Sequence, residues 1–252
     1  MTAAPDRARV ITVVTLVLVT AAAWVALLRW PMGGGDMAGM QMVMVPSAAD
    51  AAVYVGAWGV MMAAMMLPSA LPMIGLYAAT QRGAGPARAV TVTAFVAAYV
   101  VLWTASGLPI YFADLALMAV RPRTLAYVTA VALVGAGLFQ FSALKQMCLR
   151  HCRSPLAFLL GHWRAGWRGA LAMGWAHAWY CLGCCWALMV VLAVVGAMGR
   201  PWVVLIACIV AAEKLLPGGQ WIARAAGVAL TVLGLLVAVR PGLAAVLRAL
   251  SS

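Results

Sequence analysis

Imidazole and sulfur groups recur along this chain at helical spacing. His177, Cys181, Cys184 and Cys185 lie within His-Ala-Trp-Tyr-Cys-Leu-Gly-Cys-Cys-Trp. On a helix they are positions i, i+4, i+7 and i+8, which share one stripe. Thiolate and imidazole are the donors that suit copper, zinc or iron. One helix offers two or three donors to one ion, so the rest must come from neighbouring helices. The plainer alternative is that free cysteines pack as small hydrophobes and that His177 hydrogen-bonds another helix. A histidine on the same apolar stripe favours a metal or redox site.

Cys148, His151 and Cys152 form a second cluster, i, i+3 and i+4, between Lys145 and Arg153. The spacing from Cys148 to Cys152 is not the C-x-x-C of a thioredoxin motif, and C-x-x-C-H is absent. Arg150 and Arg153 beside it are expected to favour thiolate. If the preceding helix runs straight through, Cys148 stands about 36 Å from that helix's outer end, at the membrane surface. The first stripe begins about 12 Å deep by the same rise. The two clusters therefore read as separate sites.

Methionine supplies a third set. Met62 and Met66, within Trp58-Gly-Val-Met-Met-Ala-Ala-Met-Met-Leu-Pro68, are neutral soft donors suited to Cu(I), or else core filler. Pro68 and Pro72 should kink that helix and free carbonyls. Further upstream, Met37, Met40, Met42 and Met44 stand among glycines in an outer loop, where thioethers have little packing reason to gather. Glu213 is the acid placed inside the membrane, either completing a metal site with His177 and Cys181, relaying protons, or pairing with an arginine. Lys214 points about 100° away from it, given 3.6 residues per turn. No Ser-His-Asp set, paired carboxylates or phosphate-cradling glycine loop is present.

The Trp58–Pro68 segment, the block from Gln140 to Arg153, Gly183-Cys-Cys-Trp-Ala-Leu-Met189 and Glu213-Lys214 together resemble a bacterial family of predicted metal-binding integral membrane proteins. The resemblance runs from about Trp58 to Leu216, and both landmark blocks (Lys145 to Cys152, and Cys184-Cys185) are intact. It implies a multi-helix membrane fold and a bound metal, with no reaction attached. The Met-rich outer loop is not a landmark of that family.

The elements that must position these groups follow from composition. Of 252 residues, 67% are hydrophobic and 9% are charged, far from the balance of a water-soluble enzyme or a disordered chain. The class is an all-α polytopic bundle, one transmembrane domain over 1–252. Seven apolar runs are expected at 10–28, 51–77, 89–111, 124–144, 169–196, 202–216 and 225–239, or six if the last lies at the interface. The first reads as an uncleaved span, long for a signal-peptide core and with no A-x-A-like site following it. Residues 31–50 form the Met-rich outer loop, 51–216 the core helices that hold the clusters, and 217–252 a C-terminal span and tail.

The net charge of +12 sits between apolar runs, which argues against nucleic acid and for lipid headgroups. Eleven of the seventeen basic residues fall on the side that carries the N-terminus, so that side is expected to be cytoplasmic. The leading expectation is a soft-metal relay or delivery protein of the bacterial inner membrane, with copper first, zinc second and iron also admissible. Its partners would be the bilayer and a soluble metal donor or acceptor. A membrane oxidoreductase and a structural or assembly subunit are the rivals, and whether the chain is an enzyme stays open.

Overall fold

In the computed structural model, the described residues are 7–29, 47–81, 86–196 and 199–250, with side chains described from Val10 onward. They form helices and no strand. The elements are α1 (Arg7–Arg29), α2 (Ala48–Thr80), α3 (Pro86–Ala105), α4 (Gly107–Met118), α5 (Pro122–Phe139), α6 (Ala143–Arg153), α7 (Pro155–His162), α8 (Gly166–Gly196), α9 (Arg200–Leu215), α10 (Gly219–Val239) and α11 (Gly242–Ala249).

Among the described residues, six segments are long and apolar enough to cross a membrane: Val10–Arg29, Ala48–Thr80, Pro86–Met118, Pro122–Phe139, Gly166–Gly196 and Gly219–Val239. The shortfall against seven runs is at α9, which has 16 residues, and not at the last run. At about 1.5 Å per residue α9 is roughly 24 Å long, short of the ~30 Å hydrocarbon layer.

The long helices α2 and α8 occupy the centre, each with 67% of its most apolar window buried, against 17% for α1 and 22% for α10. Their sequences are apolar all round, as helices enclosed on every side must be. α8 packs on α3, α5, α6 and α9, while α2 packs on α1, α3, α4 and α9. Contact between α8 and α3 is close because Gly174 has no side chain: a Cβ there would stand 2.2 Å from the Phe95 carbonyl oxygen. The exterior carries apolar residues such as Val131, Leu160 and Val239, a surface that suits lipid better than water. Helix α2 continues through Pro68 and Pro72. The carbonyl of Met66 accepts the Ser69 hydroxyl at 2.9 Å.

The fourth run does not continue to Leu144 as the apolar pattern suggests. It ends at Phe139, and after Gln140 and Phe141 the Ser142 hydroxyl accepts the Lys145 backbone N–H at 3.1 Å, starting α6 in a new direction. This break folds α6 onto α8 and α9. At the other end of α8, Arg248 donates to the Val194 carbonyl and the Trp202 indole to that of Leu247, each at 3.0 Å. The C-terminal α11 therefore lies at the end of the bundle opposite α6 and α7.

Candidate metal centre

Helix α6 is an amphipathic strap with one buried face: Lys145, Cys148, Leu149 and Cys152. The spacing i, i+3, i+4 and i+7 aligns these side chains. Cys148 fits against Gly183 of α8, where an added Cβ would stand 2.7 Å from its sulfur. One turn on, the Cys152 sulfur comes within 4.0 Å of the Cys184 sulfur. The two cysteine blocks are therefore one cluster, not two sites at different depths. The 36 Å spacing fails because it assumes a straight helix through residues 140–142, where the chain turns.

Four thiols meet here. Cys152, Cys184 and Cys185 all lie near the Cys181 sulfur. The Cys184 and Cys185 thiols also donate to the Cys181 carbonyl, at 3.0 and 2.9 Å. Two sulfurs on one tetrahedral ion at about 2.3 Å each are about 3.8 Å apart. The 4.0 Å approach of Cys152 and Cys184 fits one shared soft ion. Among the described residues, no three His, Cys, Asp or Glu side chains form a ready-made metal cage, so a shared ion would require the thiols to rotate together and lose their protons.

The arginines of α6 do not act as expected. Burial pushes the Cys148 thiol above its usual range, with the Cys184 sulfur adding to the effect. Hydrogen bonding to Cys181 and Cys184, followed by burial, pushes Cys152 up as well. Arg153 instead donates to the carbonyls of Glu213 and Leu216, at 2.9 and 2.8 Å, closing the C-terminus of α9. His151 is turned away from the sulfurs: its ring stacks on Tyr180 at 4.2 Å, and its Nδ1 lies 2.9 Å from the Met147 carbonyl.

The acid and the lysines form the electrostatic frame. Glu213 is buried and takes Lys145 Nζ at 2.7 Å and Gln140 Nε2 at 3.2 Å. Its carboxylate is thus engaged by α6 and the α5–α6 turn, away from His177 and Cys181. Lys214, pointing the other way, places Nζ 3.0 Å from Cys181 Sγ and 3.4 Å from Ser69 Oγ. Met66 Sδ is 3.9 Å from the same ammonium, and Tyr99 Oη is 3.0 Å from Cys181 Sγ. A buried ammonium needs polar partners, and the Cys181 sulfur and the Ser69 hydroxyl are placed to provide them.

His177 is 2% exposed and boxed by Phe95, Tyr99 and Phe158, with ring centroids 6.1, 5.7 and 5.3 Å away. Its Nδ1 has no hydrogen-bond partner among the described residues. Met62 and Met66 are fully buried in α2. Met37, Met40, Met42 and Met44 lie outside the described residues.

Lys145, Lys214, Tyr99 and Gln140 complete the centre and were not singled out as its members from the sequence. A signal existed for the lysines. Only two of the seventeen basic residues are lysine, both within the motif blocks, while the rest are arginine. Cys181-Leu-Gly-Cys184 is itself a C-x-x-C pair.

No curated protein and no solved structure matches the chain. Residues 55–237 match a family, PpoB2, described as copper chaperone. That stretch holds α2 from its second turn through α10, and with it every thiol, lysine and acid of the centre just described. The chain belongs to this copper chaperone family.

Proposed function

We propose that the protein holds Cu(I) within a membrane-embedded bundle and relays it to or from a soluble partner at the bacterial inner membrane. Copper is the first cargo and zinc the second. The observation that carries this reading is the meeting of Cys152 with Cys184 across α6 and α8, beside Cys181 and Cys185. Thiolate and thioether donors select Cu(I), and Met66 lies at the edge of the same cluster. In this proposal His177 and Cys148 are further donors, the Met-rich loop collects the ion outside, and the α6–α7 end faces the cytoplasm.

The test is anaerobic purification in detergent, with copper and zinc measured per chain. The Cys184→Ser/Cys185→Ser variant is expected to lose most of the copper held by wild type, while Cys208→Ser, at the exposed cysteine of α9, keeps it. Equal metal in all three chains would overturn the proposal.

The 4.0 Å sulfur approach also favours a second reading, a thiol oxidoreductase. Cys152 and Cys184 would close to a disulfide, passing two electrons and two protons to a quinone-class acceptor. Alkylation trapping distinguishes the two. An oxidoreductase shows a Cys pair that cycles with oxidant and reductant, whereas a copper site loses alkylation only when loaded.

A further inference from the structure

The sulfur cluster is buried, so an ion needs a way in or out. The α7–α8 connection holds a cavity of about 220 Å³ lined by His162, Trp163, Arg164, Met173 and Ala176 among others. Two soft donors share it. His162 is half-buried, with Nδ1 3.2 Å from the Phe158 carbonyl. An imidazole bonded to a carbonyl through Nδ1–H presents Nε2 as its free donor. Met173 is 1% exposed, and its sulfur accepts the Arg164 backbone N–H at 3.3 Å. A thioether has a second lone pair for an ion.

Met173 also extends the stripe on α8. Met173, His177 and Cys181 are spaced by four residues each, so the donors climb one face in steps of about 6 Å. His177 stands between the cavity and the thiols along α8, buried, with an Nδ1 that has no hydrogen-bond partner among the described residues. A buried polar atom without a partner demands a reason. An aromatic wall ties the parts together: Phe158 stacks on His162 at 4.5 Å and meets His177 edge-on at 5.3 Å.

We infer that the cavity lined by His162 and Met173 is the port through which Cu(I) exchanges with the sulfur cluster, with His177 as the intermediate donor. The inference rests on the copper reading above and adds its route. Two donors are enough for a transient Cu(I) site, because this soft cation accepts two-coordinate binding, and a relay needs each stop weak enough to release. Arg164 at the rim suits an ion that arrives or leaves on an anionic, thiolate-bearing carrier, and would repel the bare cation.

The experiment uses the full chain in detergent, loaded with Cu(I) without oxygen and mixed with the anionic chelator bathocuproine disulfonate. His162→Ala and Met173→Leu are each expected to slow copper transfer by about tenfold, the scale for losing one supporting contact at a metal, while copper per chain stays at the wild-type value. His162→Met restores a soft donor and recovers the rate, whereas His162→Phe does not. A wild-type rate in either first variant overturns the port. Loss of bound copper in His162→Ala also overturns it, because that residue would then store the ion instead of passing it. Wild-type protein without copper would remove the parent reading, and the port with it.

Discussion

At the scale of single residues, the same side chain can pack or bind, and a well-chosen substitution separates the two. His177 has a flat ring among three aromatic rings, which a purely structural residue would also have. Its unpartnered Nδ1 is different, because a buried donor or acceptor without a partner costs about 1–3 kcal/mol. Leucine has nearly the volume of histidine and no polar atom to satisfy. His177→Leu is therefore expected to unfold no earlier than wild type in detergent melting, while its copper transfer to a chelator falls about tenfold. A core histidine would show no loss of transfer. The lysines are read by the same logic. Lys214 beside Cys181 supplies charge to the sulfur site, and Lys145 fixes Glu213, so two adjacent residues of α9 serve different neighbours.

At the scale of elements, α6 matters most, since it brings Cys148 and Cys152 to α8 and ties α9 to the same place. The tie is the buried Lys145–Glu213 pair, at 2.7 Å with almost no exposed side-chain surface. Removing one partner of such a pair leaves a buried, uncompensated charge. Lys145→Met is expected to destabilise by about 3–5 kcal/mol and to lower copper retention with every cysteine still present. Replacing both charges, as in Lys145→Met/Glu213→Leu, is expected to recover much of the melting temperature, since apolar groups of similar volume replace buried pairs at little cost. If the double variant melts no higher than the single one, α6 is not held by this pair. The all-α class and the six long apolar segments were legible because hydropathy over twenty residues is a strong signal. The stripe from His177 to Cys185 was legible because helical spacing fixes which side chains share a face. The joining of the two cysteine blocks was not. It depends on the turn at Gln140–Ser142, which has neither Gly nor Pro to announce it and shows only Ser142, whose hydroxyl caps α6. Likewise, which charge meets Glu213 depends on how α6 lies across α9, a tertiary fact that no local pattern encodes.

At the scale of the whole molecule, the bundle has two distinguishable ends, and in the proposed function the direction of copper movement depends on which faces the cytoplasm. The α6–α7 end holds the cavity of His162 and Met173 and a run of basic residues from Lys145 to Arg168. The other end gathers the C-terminus of α8, the start of α9 and helix α11, as the bonds from Arg248 and Trp202 show. Helix α9 leaves that end and brings Lys214 to the level of Cys181, about fifteen residues or ~22 Å down α8. Its 16 residues end there, before Pro217 and the left-handed Gly218, which cannot continue the helix. Helix α10 then runs back along α5, so the chain ends on the side where α8 ended. Basic residues tend to be retained on the cytoplasmic side, so the proposed orientation has the α6–α7 end inside and the C-terminus outside. Alkaline phosphatase fused after Leu250 is expected to be active and a fluorescent protein there dark, with the reverse for insertions after Arg164. Both fusions reporting the same side would mean that α9 and α10 do not return as described. Both reporting reversed sides would keep the fold but turn the copper port to the periplasm, making it a place of capture instead of delivery.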